Sequence, residues 1–286
     1  MMVNMASPSN PNPIGVFDSG VGGLSVLRSI RALLPEESIL YFGDQARVPY
    51  GSRSLLEIQT FSEQITRFLL SRGAKLIVVA CNTASAAALQ YLRAQFPNVP
   101  FVGMEPAVKP AAETTHTGKV GVLATPATFQ GALYASVVER FAAGVELFQH
   151  TCPGLVSQIE KGEVNSSATR AILLDALTPM LKENIDTVVL GCTHYPFVIP
   201  LIKEIVGADV RVIDPAPAVA RQVARLLEAR GIKSPMGAAA DLRFFTTAEP
   251  AALSRALLLL MSEDGEPTQV PIEALRRILS KPYKEE

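Results

Sequence analysis

The chain has 286 residues, of which 48% are hydrophobic and 19% charged. This composition supports a packed core and excludes wholesale disorder, and the length suggests about two domains. The 26 basic and 27 acidic residues leave a net charge of −1, which gives no sign of the strongly basic composition of a dedicated nucleic-acid binder.

Short apolar runs alternate along the chain with longer amphipathic stretches. The predicted elements are, in chain order, strand 14–17, helix 24–34, strand 39–42, helix 55–70, strand 76–80, helix 84–95, and strands 99–102, 120–123, 187–190 and 210–213. This alternation indicates parallel α/β sheets. Because ligands of such sheets bind at the carboxyl ends of the strands, functional residues are expected there.

The two ends of the chain predict neither export nor membrane insertion. Residues 1–13 contain no Lys or Arg and no continuous apolar run, so no secretory signal is predicted and a frayed tail is expected. Residues 281–286 are expected to be a solvated tail. The apolar run 256–261 is far shorter than the ~20 residues of a membrane helix. These features predict a cytoplasmic protein.

Three landmarks recur in the same order, which indicates two similar α/β halves. They are a Gly-Val strand opening, an apolar strand that ends at a cysteine, and an acidic residue followed by Pro-Ala. The paired positions are Gly15 and Gly121, Cys81 and Cys192, and Glu105 and Asp214, with offsets of 106, 111 and 109 residues. Unrelated α/β units can share such features, but the near-constant offsets favour an ancient duplication.

The repeat divides the 3 cysteines into a matched pair and a remainder, Cys152, for which a structural role is expected. Cys81 and Cys192 each follow a predicted buried strand, where a helix N-terminus lowers a thiol pKa from ~8.5 towards neutrality. Two thiols that face each other can deprotonate one face of a carbon and reprotonate the opposite face. Such chemistry is racemisation or epimerisation without a cofactor.

Three alternatives compete for the cysteine pair. Cysteine is often only a small buried hydrophobic residue, and two cysteines can also form a redox disulfide. A metal site would use His194, two residues after Cys192, but it would also need His116 or His150. Because neither lies in a comparable loop, a metal site is disfavoured.

Asp18 lies in a glycine-rich turn that lacks both G-x-G-x-x-G spacing and a Walker lysine. Its negative charge suits a cationic ligand group rather than a phosphate, or it tunes Cys81; the alternative is a helix N-cap. The turn 48–51 offers backbone N–H groups to a carboxylate, or is an ordinary Pro-Gly turn. His194 is a hydrogen-bond partner or proton relay, and Thr125 and Thr128 are anion donors or helix caps.

These motifs together resemble the glutamate racemases, enzymes that make D-glutamate for peptidoglycan. The resemblance spans about residues 14–220, and its segments are GVFDSGVGGL from Gly15, YFGD from Tyr41, PYG from Pro49, ACNTAS from Ala80, LGCTHYP from Leu190 and DPA from Asp214. The chain departs from the family at Ser157 and Gln158, where an apolar residue or proline is frequent. Residues after about 235 match no motif.

The resemblance implies two related, doubly wound parallel-sheet α/β domains with pseudo-twofold symmetry and an active site in the cleft between them. The first domain would comprise residues 1–100 and 214–286, and the second residues 101–213. No metal, pyridoxal phosphate or flavin is expected, and the partners would be glutamate and a second copy in a homodimer, without membrane or nucleic acid. Some members of the family inhibit DNA gyrase, and the net charge of −1 gives no separate support for contact with DNA.

The resemblance also implies roles for individual residues. Cys81 would take the α-proton of D-glutamate and Cys192 that of L-glutamate, assisted by neighbouring side chains. The assisting residues would be Asp18, His194 and Glu160; Ser19, Asn82, Thr83 and Thr193 would hold the amino and α-carboxylate groups, and Pro49, Tyr50 and Gly51 would line the site.

Other functions remain open on the sequence. A related two-cysteine racemase or isomerase could act on aspartate, a hydantoin or maleate, because pocket size is hard to read from sequence. A bilobal protein that binds an amino acid without chemistry is a second alternative, although a pure binder has no use for matched cysteines. A thiol redox protein is the third.

Overall fold

A computed structural model describes residues 10–279, which form two parallel sheets flanked by helices. The strands are β1 (Ile14–Asp18), β2 (Ile39–Gly43), β3 (Leu76–Val79), β4 (Phe101–Gly103), β5 (Lys119–Ala124), β6 (Glu146–His150), β7 (Thr187–Gly191), β8 (Arg211–Ile213), β9 (Leu242–Thr246) and β10 (Thr268–Gln269). The six-stranded sheet has the order β10-β9-β2-β1-β3-β4, and the four-stranded sheet has the order β6-β5-β7-β8. All paired strands are parallel, so the predicted α/β class is confirmed.

The helices cover both faces of the sheets. They are α1 (Leu24–Leu33), α2 (Leu55–Ser71), α3 (Asn82–Gln95), α4 (Val108–Thr114), α5 (Pro126–Gln130), α6 (Ala132–Phe141), α7 (Leu155–Glu160), α8 (Ser167–Lys182), α9 (Ile199–Val206), α10 (Ala216–Ala229), α11 (Pro250–Met261) and α12 (Ile272–Leu279). Short 3-10 turns occupy Gln45–Arg47, Tyr50–Ser52 and Tyr195–Val198. Within residues 10–279, no helix is both long and apolar enough to cross a membrane.

Each predicted strand and helix is present, within a few residues of its expected bounds. The strands β6, β9 and β10 were absent from the prediction. Strand β6 lies at a sheet edge and is largely half-buried, β9 carries Arg243 near its start, and β10 is only two exposed residues. None of the three therefore shows the continuous apolar run of a buried strand.

The two sheets share one connectivity, which supports the predicted relation between the halves. The order β2-β1-β3-β4 in the first sheet corresponds to β6-β5-β7-β8 in the second. We call the six-stranded sheet with its helices the first half, and the four-stranded sheet with its helices the second half. The chain returns to the first half through α10, which packs against α1. The domain boundaries at residues 100 and 213 stay a prediction, and β4, just beyond the first boundary, pairs within the first half.

A buried ion pair ties the chain start and residue 234 to the first half. Lys75 Nζ lies 2.7 Å from Glu37 Oε2, and both side chains are at most 2% exposed. Lys75 also donates to the carbonyl of Asn10, while the Ser234 N–H donates to Glu37. Residues 10–13 are therefore held by hydrogen bonds, contrary to the expected frayed tail. Residues 1–9 and 281–286 lie outside the described residues.

Replacing Lys75 by methionine should destabilise the fold strongly, because Glu37 would remain buried without its cation. We expect Lys75→Met to lower the free energy of unfolding by about 3–5 kcal/mol, measured by urea denaturation. Adding Glu37→Gln should recover part of the loss. As a control, Lys119→Met removes only partly exposed ion pairs and should cost at most about 1 kcal/mol. Equal losses in the two single variants would contradict this account.

Candidate active site

Both matched cysteines line one small cavity between the halves. Cys81 follows β3 and Cys192 follows β7, which are corresponding strands, and the two residues are 4% and 5% exposed. The cavity has a volume of about 20 Å³ and is lined by Ser19, Pro49, Tyr50, Gly51, Cys81, Asn82, Thr83, Thr125, Val156, Cys192, Thr193 and His194. It lies at the carboxyl ends of the strands, as parallel α/β sheets predict.

The Cys81 thiol is surrounded by neutral hydrogen-bonding groups. Cys81 is the N-cap of α3, where its Sγ accepts from the Ala84 N–H at 3.5 Å. It also lies 3.7 Å from Ser19 Oγ. Burial, reinforced by the negative charge of Asp18, raises the pKa of the Cys81 thiol above its usual range. The expected depression of its pKa by the helix N-terminus is thus outweighed, and the protonated thiol is favoured at this position.

The Cys192 thiol instead lies beside an ion pair. Its Sγ is 3.8 Å from His194 Nδ1, and His194 Nε2 is 2.6 Å from Glu160 Oε1. Burial alone would lower the pKa of His194, but the hydrogen bonds to Cys192 and Glu160 and the charge of Glu160 raise that pKa well above its usual value. A positively charged imidazole ring therefore lies next to Cys192 Sγ.

Glu160 reaches from the second half into the first. Its Oε1 accepts from the Val21 N–H at 2.8 Å, and its Oε2 accepts from Gln45 Nε2 at 3.4 Å. Burial would raise the pKa of Glu160, but hydrogen bonds from His194, Val21 and Gln45 and the charge of His194 hold that pKa below its usual value. Glu160 and His194 therefore form a charged pair that is bound by both halves.

The glycine-rich turn after β1 lies directly against the second half. A Cβ on Gly22 would be 2.4 Å from His194 Nδ1, and a Cβ on Gly20 would be 2.0 Å from Glu160 Oε1. Asp18, fully buried, accepts from the Gly20 N–H at 2.9 Å and from Thr193 Oγ1 at 3.2 Å. Burial raises the pKa of Asp18, and the charge of His194 opposes that rise. Because Gly23 precedes α1, the alternative reading of Asp18 as the N-cap of that helix is wrong.

Polar groups from both halves also meet at the wall of the cavity. Thr83 Oγ1 and Thr125 Oγ1 lie 3.1 Å apart, and Thr125 Oγ1 is 2.9 Å from Thr128 Oγ1. The side-chain amide of Asn82 is buried, and neither its oxygen nor its nitrogen has a hydrogen-bond partner among the described residues. Since an unpaired buried amide is costly, Asn82 is suited to bind a polar ligand.

The Pro-Tyr-Gly turn is held by a network behind the cavity. The Tyr50 hydroxyl donates to Asp44, which also accepts from Arg47 Nε at 2.9 Å and from Thr247 Oγ1 at 2.7 Å. The Arg47 guanidinium in addition lies over the ring of Phe61, 4.1 Å from its centroid. Tyr50 is thereby fixed as part of the cavity wall.

The structure brings most of the predicted site residues to the cavity wall. Three of the predicted residues, Asp18, Thr128 and Glu160, do not line the cavity that residues 10–279 form. Each of them instead contacts a residue of the cavity wall. Val156 lines the cavity but was not predicted, since an apolar residue on a helix carries no chemical signal. The sequence prediction also did not include Gln45, which contacts Glu160 and follows directly after the YFGD segment.

No group of three or more His, Cys, Asp or Glu side chains within the described part of the chain is arranged to hold a metal ion. Cys152 is buried, and burial raises the pKa of its thiol to about 12. It lies outside the lining of the cavity that residues 10–279 form.

The fold and the site define a class of protein in which two related parallel α/β halves enclose a pair of buried thiols. A family model described as Asp/Glu/Hydantoin racemase matches residues 14–223. A glutamate racemase from Pseudomonas paraeruginosa is 54% identical over 248 residues, which cover 87% of this chain and 93% of that protein.

Solved structures show the same similarity. The glutamate racemase isoform RacE1 from Bacillus anthracis has a TM-score of 0.83 and 35% identity, covering 91% of this chain and 98% of that one. Escherichia coli glutamate racemase, solved with L-glutamate and the activator UDP-MurNAc-ala, has a TM-score of 0.80 and 36% identity over 91% of this chain and 98% of that one. The chain belongs to the Asp/Glu/Hydantoin racemase family, which confirms the resemblance seen in the sequence.

A methyl group at Gly22 should disturb the contact between the halves, because it would overlap His194 and Thr193. We expect Gly22→Ala to lower the free energy of unfolding by about 1–3 kcal/mol, the typical cost of overpacking. Gly51→Ala is the matched control, since its Cβ would meet Thr125 at an ordinary 3.4 Å. Chemical denaturation measures both variants, and equal stability of Gly22→Ala and the unmodified protein would contradict the close contact.

The ion pair at His194 should make stability depend on pH. The pKa of His194 is raised above its unfolded value of 6.5, so its stabilising contribution is fully present below that pH and is lost as the pH rises through the folded pKa. The free energy of unfolding should therefore exceed that of His194→Gln most at pH 6, and the difference should shrink under alkaline conditions. The variant His116→Gln, at an exposed position, should show no such trend. A difference that grows with pH would contradict the assignment.

Proposed function

We propose that this protein interconverts L- and D-glutamate without a cofactor, by moving the α-proton between the thiols of Cys81 and Cys192. The observation that carries this proposal is the position of the two thiols. They follow corresponding strands of two related halves and line the same buried cavity. A substrate held between them would present opposite faces of its α-carbon to the two sulfur atoms.

The two thiols have different electrostatic surroundings. Cys192 lies beside the His194–Glu160 ion pair, whereas burial and the charge of Asp18 favour the protonated thiol at Cys81. In the L-to-D direction, the Cys192 thiolate removes the α-proton and leaves a planar carbanion. The Cys81 thiol then delivers its proton to the other face. The reverse direction starts from the opposite protonation states.

The developing negative charge needs preorganised donors around the α-carboxylate. Asn82 is suited to this role because its amide is buried in the cavity wall without a partner among the described residues. Ser19, Thr83 and Thr193 supply further hydroxyl groups. Asp18 lies behind Thr193, where its negative charge favours the substrate ammonium group. The Pro49–Tyr50–Gly51 turn, with Thr125, would complete the enclosure.

The cavity volume of about 20 Å³ is close to the space that one water molecule needs. Glutamate is much larger, so the halves must separate to admit it. We propose that they move nearly as the two predicted domains, residues 1–100 with 214–286 and residues 101–213, except that β4 pairs with β3 and moves with the first half. Closure then brings both thiols and the surrounding donors to the substrate, which supplies the orientation that proton transfer needs.

The similarity to glutamate racemases supports glutamate over aspartate, a hydantoin or maleate as the substrate. The L-glutamate named in the Escherichia coli structure supports the same choice. Supply of D-glutamate for peptidoglycan and assembly as a homodimer belong to this proposal, on the strength of the resemblance. The expected cytoplasmic location stays a prediction.

Exchange of the α-proton in heavy water tests the proposal directly. The protein should incorporate solvent deuterium at the α-carbon of both glutamate enantiomers and not of aspartate, followed by NMR. Cys81→Ser and Cys192→Ser should each slow racemisation by about 10²–10⁴-fold, the range for loss of a general acid or base. Cys152→Ala is the matched control, because it removes a buried thiol that lies outside the cavity lining, and this variant should retain racemisation.

Two results would overturn this assignment. Normal racemisation by either serine variant would exclude the two-base mechanism. Exchange on aspartate alone would show that glutamate is not the substrate. Circular dichroism of each variant checks that the fold is intact.

A further inference from the structure

Gln45 connects the first half to the charged pair beside Cys192. It opens the 3-10 turn after β2, and Thr246 ends the neighbouring strand β9. Both side chains therefore lie at the carboxyl edge of the first sheet. Gln45 is outside the described cavity lining, so any effect on the reaction must pass through another residue.

Thr246 binds the end of the Gln45 amide that points away from Glu160. The Thr246 hydroxyl accepts from the Ala248 N–H at 3.1 Å and donates to Gln45 Oε1, also at 3.1 Å. Because an ionised carboxylate only accepts hydrogen bonds, Nε2 is the end of the amide that faces Glu160, and Oε1 is left to accept from Thr246. Gln45 Nε2 then donates to Glu160 Oε2 at 3.4 Å.

The other oxygen of Glu160 is fixed at the same time. Its Oε1 accepts from the Val21 N–H at 2.8 Å and lies 2.6 Å from His194 Nε2. The turn that presents Val21 is itself held by the Tyr41 hydroxyl, which donates to the Gly20 carbonyl at 2.8 Å. Two donors of the first half thus orient a carboxylate of the second half.

Resting on the proposed function, we propose that Gln45 is a positioning residue: its amide, held at the other end by Thr246, fixes Glu160 across the boundary between the halves and so holds His194 against Cys192. Glu160 interacts electrostatically with the titratable groups of His194, Asp18 and Tyr41. Gln45 carries no charge, so its replacement changes the hydrogen bonding of Glu160 without changing the net charge of the site.

The variant Gln45→Met keeps the length of the side chain and removes its donor. We expect kcat for glutamate to fall about 2–10-fold, the equivalent of one hydrogen bond, with KM little changed. The acidic limb of the kcat profile should move to higher pH, because a carboxylate that loses a donor is protonated more easily. Thr246→Val should act in the same direction and more weakly. Gln90→Met, at an exposed position of α3, is the control and should change neither quantity.

A second measurement needs no substrate. The chain has 3 histidines, so the ring ¹⁵N signals of His194 can be assigned by comparison with His194→Gln. The change of these signals at acidic pH reports protonation of Glu160. The midpoint of this change should move to higher pH in Gln45→Met and remain in place in Gln90→Met.

The two measurements separate this proposal from the proposed function. In a protein that racemises glutamate, an unmoved His194 transition or an unmoved kcat profile in Gln45→Met overturns the role of Gln45. If kcat falls only in step with a lower melting temperature, while the His194 transition stays in place, the role of Gln45 is overturned as well. If the transition moves but the unmodified protein does not racemise glutamate, the position of Gln45 is supported and the proposed function is wrong.

Discussion

The carboxylate of Glu160 is bound from both halves of the molecule, and the arrangement around the second thiol depends on it. It accepts from Val21 and Gln45 of the first half and pairs with His194 of its own half. A buried charge is tolerated only where it is paired and hydrogen-bonded. Separation of the halves would remove two of its donors, so the charge state beside Cys192 is linked to closure of the cavity.

The two halves share a strand order but not a charge distribution. Around Cys81 the contacts are neutral, namely the Ser19 hydroxyl and the Ala84 N–H, whereas Cys192 lies beside an ion pair. Two halves of the same strand order supply two thiols at corresponding places, and the side chains around each thiol make their environments different. This difference suits a reaction in which one thiol must be protonated while the other is not.

Much of this arrangement could be predicted from sequence, and the missing parts have physical causes. Buried parallel strands are continuous apolar runs, so the central strands and their cysteines were evident, while the half-exposed edge strand β6 was not. The cavity wall was predicted well where polar residues follow strands. Val156 looks like any core residue, and the contact of Gln45 with Glu160 joins segments 115 residues apart. Whether Asp18 lies on the wall or behind it depends on how the halves meet, which residue spacing does not encode.

The unequal surroundings of the two thiols have a consequence for successive turnovers. In the proposed reaction, each conversion leaves the proton on the opposite sulfur, so the enzyme that releases D-glutamate is a protonation isomer of the enzyme that bound L-glutamate. Because His194 stands beside only one sulfur, these isomers differ in free energy. Under this proposal, the resting enzyme would take one enantiomer first, and it would have to return a proton through solvent before it could repeat the same conversion.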